Sequence, residues 1–395
     1  MIKTSLTPRR RIDAADVLRG FAVMAIILLH SIEHFNFYSF PDTTGQSAWL
    51  NFTDRAIWDG LFFAFGGKAY AIFALLFGFS FFIQHDNQRQ RGRDFRARFA
   101  WRLLLLLLIG QINAAFFTGE VLVLYAIVGF VLIAVCRLSD RALIVIAAIL
   151  VAQPVSIYQI LRALIDSDYV IGHIDTAGYW AATFRAQTEG SFREMVSVNL
   201  WEGQLASLSW AWDHGRVCQT AALFIAGLLA GRQGWFEERR LGLWSRVLAV
   251  ALCAFFPLSG LNNMAGNFVT DHNILSPLKI ILSSLANLSF MLILVSGILF
   301  AYYRTGRLSR LLGRLRPYGR MSMTNYVTQG MIGAALFYNW GLYLRLGITA
   351  SVLVGAAIFA VQLALCTVWL RHHSRGPLEH LWRCATWLEW PWRKA

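Results

Sequence analysis

Long apolar runs separated by short charged connections make up most of the chain from residue 17 to residue 370. Within each run apolar residues occupy every face of a helix, unlike the one-sided pattern of a soluble helix. A helix that spans a membrane needs about 20 such residues. Ten runs approach this length: 17–37, 57–83, 99–117, 120–136, 141–162, 215–231, 242–260, 276–302, 322–343 and 348–370. The pattern predicts an all-α, polytopic membrane helix bundle of about ten transmembrane helices.

Two connections have local features that predict more than a plain span. The run 57–83 is long and contains Gly66-Gly67, so we expect it to break or to re-enter the membrane there. Only Thr118-Gly119-Glu120 joins the third run to the fourth, which predicts a tight hairpin.

Gly227 and Gly231 form a small-xxx-small pair of the kind that packs membrane helices closely.

Positive residues concentrate in alternate connections, and this sets the predicted orientation. The positive-inside rule places the rich side, which includes both chain ends, in the cytoplasm. The rich side holds Lys3, Arg9, Arg10, Arg11, Arg19, Arg89, Arg91, Arg93, Arg96, Arg98, Arg102, Arg304, Arg307, Arg310, Arg314, Arg316, Arg320, Arg371 and Arg375. The other side holds Arg55, Arg162, Arg185, Arg193, Arg216 and Arg345.

The chain reads as a single integral membrane domain, 1–395, without an internal repeat. Residues 163–213 form a long extracytoplasmic segment whose tryptophans predict interfacial helices. Residues 372–395 read as a cytoplasmic amphipathic tail. We expect the first apolar run to be retained as a helix, because no small-x-small cleavage site follows it.

Composition narrows the function classes. Hydrophobic residues make up 57% of the chain and charged residues 15%, too little charge to cover a soluble domain. The net charge of +14 lies at the ends of apolar runs, which favours a bilayer over nucleic acid as the partner. The five cysteines are scattered, so neither a disulfide framework nor a metal site is predicted.

Ionisable residues inside the first run are the leading functional candidates, because charge within a membrane is costly. His30, Glu33 and His34 share one helix face. Arg19 lies eleven residues before His30, so both point the same way, about 16 Å apart along the axis. Two interpretations stay open: an anionic ligand that reaches His30 from the cytoplasm, or an anchoring Arg19 with a packing His30.

Three further polar residues lie inside other apolar runs. Lys68 must pair or reach water, and a structural ion pair with Glu33, Asp59 or Glu120 is as plausible as a catalytic role. Asn325 and Gln329 share a helix face. Amides of this kind often bond a neighbouring helix, which is the favoured interpretation of these two.

Five motifs resemble those of the YeiB-like bacterial membrane proteins, whose C-terminal part is classified as domain of unknown function 418. The resemblance extends over nearly the whole chain. The motifs are Asp16-Val17-Leu18-Arg19-Gly20-Phe21-Ala22, Lys68 with Phe73-Ala74-Leu75-Leu76-Phe77-Gly78, Val121-Leu122-Val123-Leu124-Tyr125-Ala126-Ile127, Tyr318-Gly319-Arg320-Met321-Ser322-Met323-Thr324-Asn325-Tyr326, and Gly376-Pro377-Leu378-Glu379 with Leu381-Trp382-Arg383.

The N-terminal helix also resembles a wider set of transmembrane acyltransferases. That set includes the acyltransferase-three enzymes, which modify cell-surface sugars, and heparan-glucosaminide N-acetyltransferase. The acyltransferase-three proteins have a basic residue, ten intervening positions and a catalytic histidine, the spacing of Arg19 and His30. Many YeiB-like proteins have asparagine at the position of His30, so this chain departs from them toward the acyltransferase pattern.

These resemblances imply an acyltransferase of the bacterial inner membrane that uses cytoplasmic acetyl-CoA or another acyl-CoA as co-substrate and no metal. The acceptor would be a glycan, a lipid or a small metabolite, and a homodimer is expected by analogy. Candidate cofactor-binding residues are Arg19, Arg98, Arg102, Asn325 and Gln329, with the arginines holding the CoA phosphates.

The candidate catalytic residues have separate expected roles. His30 acts as general base on the acceptor, and Glu33 orients His30 or pairs with His34. Lys68 stabilises the developing oxyanion. The alternative function is a transporter or exporter of a small metabolite without covalent chemistry, which polar groups at the membrane midplane also suit.

The predicted orientation can be tested with two reporter proteins fused to the C-terminus. We expect a fused green fluorescent protein to fluoresce and a fused alkaline phosphatase to be inactive, because the C-terminus lies in the cytoplasm. Insertion of either reporter in 163–213 should give the opposite result. An active phosphatase at the C-terminus would contradict the orientation and the proposed entry side of acyl-CoA.

Overall fold

The computed structural model describes residues 12–389 apart from residues 34, 38, 43, 167, 173, 174 and 305. The described chain is helical and contains no β-strand. Its first half forms α1 (Asp13–Ile32), α2 (Ala48–Phe65), α3 (Ala69–Arg89), α4 (Arg96–Ala114), α5 (Leu122–Val128), α6 (Phe130–Val135), α7 (Asp140–Val151), α8 (Pro154–Ile165), α9 (Ala177–Thr188) and α10 (Phe192–Val198).

The second half begins with a π-helical turn, Asn199–Gly203, that leads into α11 (Gln204–Asp213). The remaining helices are α12 (Arg216–Gln233), α13 (Leu241–Phe268), α14 (His272–Tyr303), α15 (Arg307–Gly313), α16 (Arg316–Arg320), α17 (Ser322–Phe337), α18 (Ile348–His372) and α19 (Pro377–Trp387). A short 3-10 turn, Glu238–Arg240, precedes α13.

Each of the ten apolar runs forms helix, but fewer of these helices are long and apolar enough to cross a membrane. Within the described residues six stretches qualify, and the pair α7–α8, bent by 51° at its break, makes a seventh. The other three runs form α5–α6, α12 and α17, which are shorter or less apolar. The all-helical membrane-like fold is therefore confirmed, whereas ten spans and cytoplasmic termini stay predictions.

The break expected at Gly66-Gly67 is present between α2 and α3. Gly67 has a φ of +74°, a backbone conformation that glycine adopts without strain. A Cβ atom on Gly67 would lie 3.0 Å from the side-chain nitrogen of Asn287 and 3.3 Å from the guanidinium of Arg216. The interruption therefore brings backbone against α14 and the start of α12.

Helix α1 lies at the centre of the bundle, against α3, α16, α17 and α18. Two glycines allow backbone contact between α1 and the short helix α16. Gly20 lies against the carbonyl group of Leu315, and Gly319 lies against the carbonyl group of Asp16. No side chain fits at either position, so the first and fourth motifs of the chain meet directly.

Helices α3 and α12 pack together in the same close manner. Gly227 lies against the backbone of Leu75, Gly231 against the ring of Phe82, and Gly78 against the backbone of Phe224. The predicted packing role of Gly227 and Gly231 is confirmed. Small residues let helices in a membrane approach closely enough for extensive van der Waals contact.

We predict that Gly227→Val destabilises the protein, because the added side chain collides with the α3 backbone. Overpacking of this kind costs about 1–3 kcal/mol, measurable as a lower thermal midpoint in detergent. Gly297→Val on α14 is the matched control, since nothing lies within 4 Å of a Cβ atom there. Equal midpoints for the two variants would contradict the close packing of α3 and α12.

Candidate functional site

A cavity of about 670 Å³ contains His30, and we call it the histidine cavity. Its main polar lining residues come from five separate parts of the chain: α1, the α4–α5 connection, α12, α14 and α17. They include His30, Glu33, Glu120, Arg216, Asn287 and Tyr326. Aromatic rings supply much of the remaining wall: Phe62, Tyr70, Phe117, Trp180 and Trp210. A concave, largely apolar space with a few polar groups is typical of small-molecule sites.

Aromatic contacts position His30 at one end of the histidine cavity. Its ring centroid lies 4.4 Å from that of Phe117 and 6.3 Å from that of Tyr326. The hydroxyl of Tyr326 also accepts a hydrogen bond from the backbone N–H of Val121, at 3.3 Å. His30, α17 and the connection from α4 to α5 therefore meet at this end.

Glu120 also lines this cavity, although the sequence suggested it only as a partner for Lys68. Its side chain is 4% exposed. The side-chain amide of Asn113 and the backbone N–H of Leu122 donate hydrogen bonds to its two carboxyl oxygens. The α4–α5 hairpin thus holds a carboxyl group in a fixed orientation at the cavity wall.

Arg216, at the start of α12, brings a positive charge into the cavity. Its guanidinium donates a hydrogen bond to Gln219 at 3.0 Å and lies over the rings of Tyr70, at 4.6 Å, and Trp210, at 5.5 Å. Glu33 is the acidic neighbour whose charge interacts with it. The sequence places Arg216 only among the positive residues of the side with fewer arginines. Spacing alone cannot distinguish such an anchoring residue from a residue that lines a cavity.

A second, arginine-rich space lies around the other end of α1. It consists of an outer chamber of about 560 Å³ and an inner chamber of about 240 Å³. The two share Gln84, Arg102, Arg320, Glu379 and Trp382 in their walls, so we describe them together as the arginine cavity. Seven arginines line it: Arg19, Arg91, Arg93, Arg102, Arg320, Arg375 and Arg383.

Arg19 lies in the inner chamber, held between two helices. Its guanidinium pairs with Asp16 at 2.6 Å and donates to the hydroxyl of Ser80 on α3 at 2.8 Å. Asp16 is almost fully buried, whereas about a fifth of the Arg19 side chain is exposed. Arg19 therefore has a structural role and also presents a charged surface to the chamber.

The connection from α3 to α4 carries Arg91 and Arg93 into the outer chamber. An ion-pair arrangement around Asp94 orders this connection. The side chain and the backbone N–H of Arg96 both donate hydrogen bonds to Asp94, which lowers the pKa of the Asp94 carboxyl. Arg137 adds a second ion pair at 3.2 Å. Asp94 therefore stays ionised at neutral pH.

Helix α4 holds the C-terminal helix α19 over the arginine cavity. Arg98 donates to the carbonyl group of Thr386 at 2.9 Å, and Arg102 donates to the Thr386 hydroxyl at 3.2 Å. The guanidinium of Arg102 also lies 3.3 Å from the ring centroid of Trp382. Arg102 lines both chambers, whereas Arg98 lines neither. Of the three arginines predicted to hold phosphate, Arg19 and Arg102 therefore line the cavity and Arg98 does not.

Glu379 on α19 caps the N-terminus of α17. Its carboxylate accepts hydrogen bonds from the backbone N–H groups of Met323, at 2.8 Å, and Thr324, at 3.0 Å. The Thr324 hydroxyl adds a third bond at 2.6 Å. A carboxylate at this position also interacts favourably with the helix dipole. The tail predicted as an interfacial helix is thus joined to the bundle through α4 and α17.

Phe73 and Tyr125 join the wall of the arginine cavity to that of the histidine cavity. Their rings stack with centroids 6.0 Å apart, and the Tyr125 hydroxyl donates to the carbonyl group of Tyr70 at 2.7 Å. Phe73 and Tyr125 line the arginine cavity, whereas Tyr70, one turn before Phe73 on α3, lines the histidine cavity. We call Phe73 and Tyr125 the aromatic partition.

Lys68 and Asn325 lie outside both cavities. The Lys68 ammonium faces the rings of Phe63 and Phe290 at 6.0 and 5.5 Å, and no acidic residue of the described chain forms an ion pair with it. Asn325 donates to the carbonyl group of Tyr318 at 3.0 Å and contacts Cys366 at 3.3 Å. This arrangement agrees with the favoured interpretation of Asn325 as a link between helices.

Gln329 and His34 are the two remaining candidates. Gln329 is buried, and within the described part of the chain its side-chain amide has no hydrogen-bond partner. His34 is outside the described residues, so its proposed role stays a prediction. Among the residues that the structure describes, no group of three His, Cys, Asp or Glu side chains could hold a metal ion.

Comparison with known proteins places the chain among uncharacterised bacterial proteins. Residues 230–389 match the model of a family described as "Protein of unknown function (DUF418)". The chain is 27% identical to the uncharacterized protein YxaH of Bacillus subtilis, with 98% of each chain covered. It is 25% identical to the uncharacterized protein YeiB of Escherichia coli, with 94% of this chain and 95% of YeiB covered.

We predict that Glu379→Ala loosens α19, because the hydrogen bonds that join Glu379 of α19 to the start of α17 are lost. Loss of a cap costs about 1–2 kcal/mol and should expose the segment after residue 372 to limited proteolysis. Glu389→Ala is the control, since the Glu389 carboxylate forms only an exposed ion pair with Arg383. Cleavage of both variants at the wild-type rate would show that the cap does not hold α19.

Proposed function

Since the chain belongs to the YeiB-like DUF418 family, described as of unknown function, we propose its activity from the two cavities. The proposed activity is that of an acyltransferase embedded in the bacterial inner membrane. It would move an acyl group, such as acetyl, from cytoplasmic acyl-CoA to an acceptor at or across the membrane.

One observation supports this proposal most directly: all five sequence motifs contribute residues to the inner chamber of the arginine cavity. The first motif supplies Arg19, the second Phe73 and Phe77, the third Leu122 and Tyr125, the fourth Arg320, and the fifth Glu379 and Trp382. The features by which the chain resembles its family therefore converge on one space, lined by cations at its mouth and by apolar groups inside.

This arrangement suits a molecule with a highly charged phosphate end and a long, less polar arm. Arginine is well matched to phosphate oxygens because its planar guanidinium donates several hydrogen bonds in a fixed geometry. The seven arginines would hold the phosphates of CoA. The pantetheine arm would then extend along α1 toward His30, over the distance of about 16 Å between Arg19 and His30.

His30 is the proposed general base of the transfer. A neutral imidazole takes a proton from an acceptor hydroxyl or amine, which then attacks the thioester carbonyl carbon. The new bond to the acyl carbon forms, the carbon–sulfur bond breaks, and CoA leaves as the thiol after proton transfer. The aromatic partition must open for this step, because it lies between the two cavities.

A transporter without covalent chemistry is the second candidate, and the aromatic partition is the observation that favours it. Two cavities that approach each other across a closed layer are also the arrangement of an alternating-access carrier. The two functions differ in one measurable result, since only the acyltransferase releases free CoA from acyl-CoA.

We predict that the purified protein binds acetyl-CoA and that His30→Ala retains this binding but loses release of free CoA. General-base catalysis typically contributes about 10²–10⁴-fold in rate, which sets the expected loss. Binding is measured by calorimetry in detergent and free CoA with a thiol reagent. The exposed His272→Ala is the control. No binding of acetyl-CoA by the wild type would disprove the acyltransferase proposal.

A further variant tests the role of Arg19 in binding. Removal of Arg19 alone would take away the guanidinium that pairs with the buried Asp16 carboxylate, and breaking a buried pair at one partner is strongly destabilising. The double variant Asp16→Asn/Arg19→Gln avoids this problem. We expect it to bind acetyl-CoA about tenfold more weakly, whereas the exposed Arg246→Ala on α13 binds normally. Unchanged affinity in the double variant would show that Arg19 serves the structure alone.

A further inference from the structure

Among its described lining residues, the histidine cavity has more acidic than basic side chains. Glu33 and Glu120 are acidic, Arg216 is the permanent cation among these residues, and His30 supplies an imidazole. Lys68 follows Gly67 in the sequence, but its ammonium group faces the rings of Phe63 and Phe290 and does not line the cavity. Two carboxyl groups and one permanent cation are thus present among the described lining residues.

The positions of the two carboxyl groups show which of them has no cation nearby. Arg216 interacts electrostatically with Glu33, so these two opposite charges compensate each other at one end. Glu120 lies in the α4–α5 connection with Phe117, and no residue of the described chain forms an ion pair with it. Glu120 is thus the carboxyl group without a nearby compensating cation.

The surroundings of Glu120 favour a carboxylate once a cation is present. Asn113 and the backbone of Leu122 donate hydrogen bonds to the two oxygens, and donors of this kind stabilise the charged form. The side chain is 4% exposed, and a buried carboxylate is costly unless a positive charge accompanies it. A ligand that brings this positive charge removes the cost.

Aromatic rings close to Glu120 favour the same kind of ligand. Phe117 precedes it by three residues and packs against His30, and Tyr326 bonds the backbone of the following residue, Val121. Aromatic faces attract cations by about 0.5–2 kcal/mol, more where water is excluded. An acidic group among aromatic rings is a suitable site for an organic ammonium ion.

We propose that the histidine cavity binds an organic cation, with an ammonium group held by Glu120 between Phe117, Tyr326 and His30. The apolar part of this ligand would lie against Trp180, Trp210 and Phe62. The binding site is independent of acyl transfer. If the function proposed above also holds, its acceptor is a primary amine, because the ammonium group lies beside His30.

The test compares amines with uncharged alcohols of the same shape. Benzylamine, 2-phenylethylamine and hexylamine are paired with benzyl alcohol, 2-phenylethanol and hexan-1-ol, in nanodiscs without acetyl-CoA. Binding is reported by the part of the tryptophan quenching that is lost in a Trp180→Phe/Trp210→Phe variant, because these two tryptophans of the chain's 15 line the cavity. We expect at least one amine to bind about tenfold or more tightly than its alcohol. If no amine is preferred, the wild type alone overturns the proposal.

Two variants locate the selectivity within the cavity. Glu120→Gln should lose about tenfold of the preference for the amine, because the amide keeps its size and supplies no negative charge. Glu33→Gln is the matched variant at the carboxyl group whose charge Arg216 compensates, and it should lose less. An unchanged amine preference in Glu120→Gln, or a larger loss in Glu33→Gln, would contradict the assignment of the site to Glu120.

The result also separates this inference from the proposed enzyme activity. Amine preference that depends on Glu120, in a protein that never releases CoA, would support the cation site and disprove acyl transfer. Release of CoA by a protein that binds no amine more tightly than its alcohol would support acyl transfer and disprove the cation site.

Discussion

The backbone contact between α1 and α16 is the constraint on which the rest of the structure depends. Gly20 and Gly319 allow each helix to lie against a carbonyl group of the other, so two segments about 300 residues apart in sequence become neighbours. This contact brings Arg19 and Arg320 into the wall of one chamber. Larger residues at either glycine would separate the helices and open the chamber, since packed helices in a membrane lack a strong hydrophobic force that could restore the contact.

Helix α19 completes the same chamber from the opposite side, and it does so through two kinds of interaction. Glu379 satisfies backbone donors at the start of α17, while Trp382 stacks on Arg102 of α4. The stacked guanidinium keeps its charge in the chamber because arginine stays protonated in proteins, and the aromatic face attracts the cation. The C-terminal helix is therefore part of the cavity wall, and the arginines around it are fixed before any anion binds.

Much of the fold follows from the sequence, because the features concerned are local. All ten apolar runs form helix, Gly66-Gly67 interrupts one of them, and Gly227 with Gly231 marks a close contact. The residues that line the cavities do not follow from local sequence, because they depend on how helices distant in sequence face one another. Arg216 and Glu120 lie at the ends of apolar runs. From sequence position alone, an anchoring arginine or a loop glutamate cannot be distinguished from a residue that lines a cavity. Helical spacing placed Arg19 and His30 on one face but gave no indication that Tyr125 lies between their cavities.

The aromatic partition links these observations to function. An arginine-lined space can bind phosphate groups, and a histidine beside a buried carboxyl group can exchange protons, but neither property alone transfers a group. A transfer requires that the two spaces join for at least one step of the cycle. Phe73 and Tyr125 lie on α3 and α5, and a single hydroxyl bond from Tyr125 to the Tyr70 carbonyl connects these helices at that level. Tyr125 is fully buried, and its ring also contacts Phe77 and Phe224, so a movement that joins the cavities must shift these rings together.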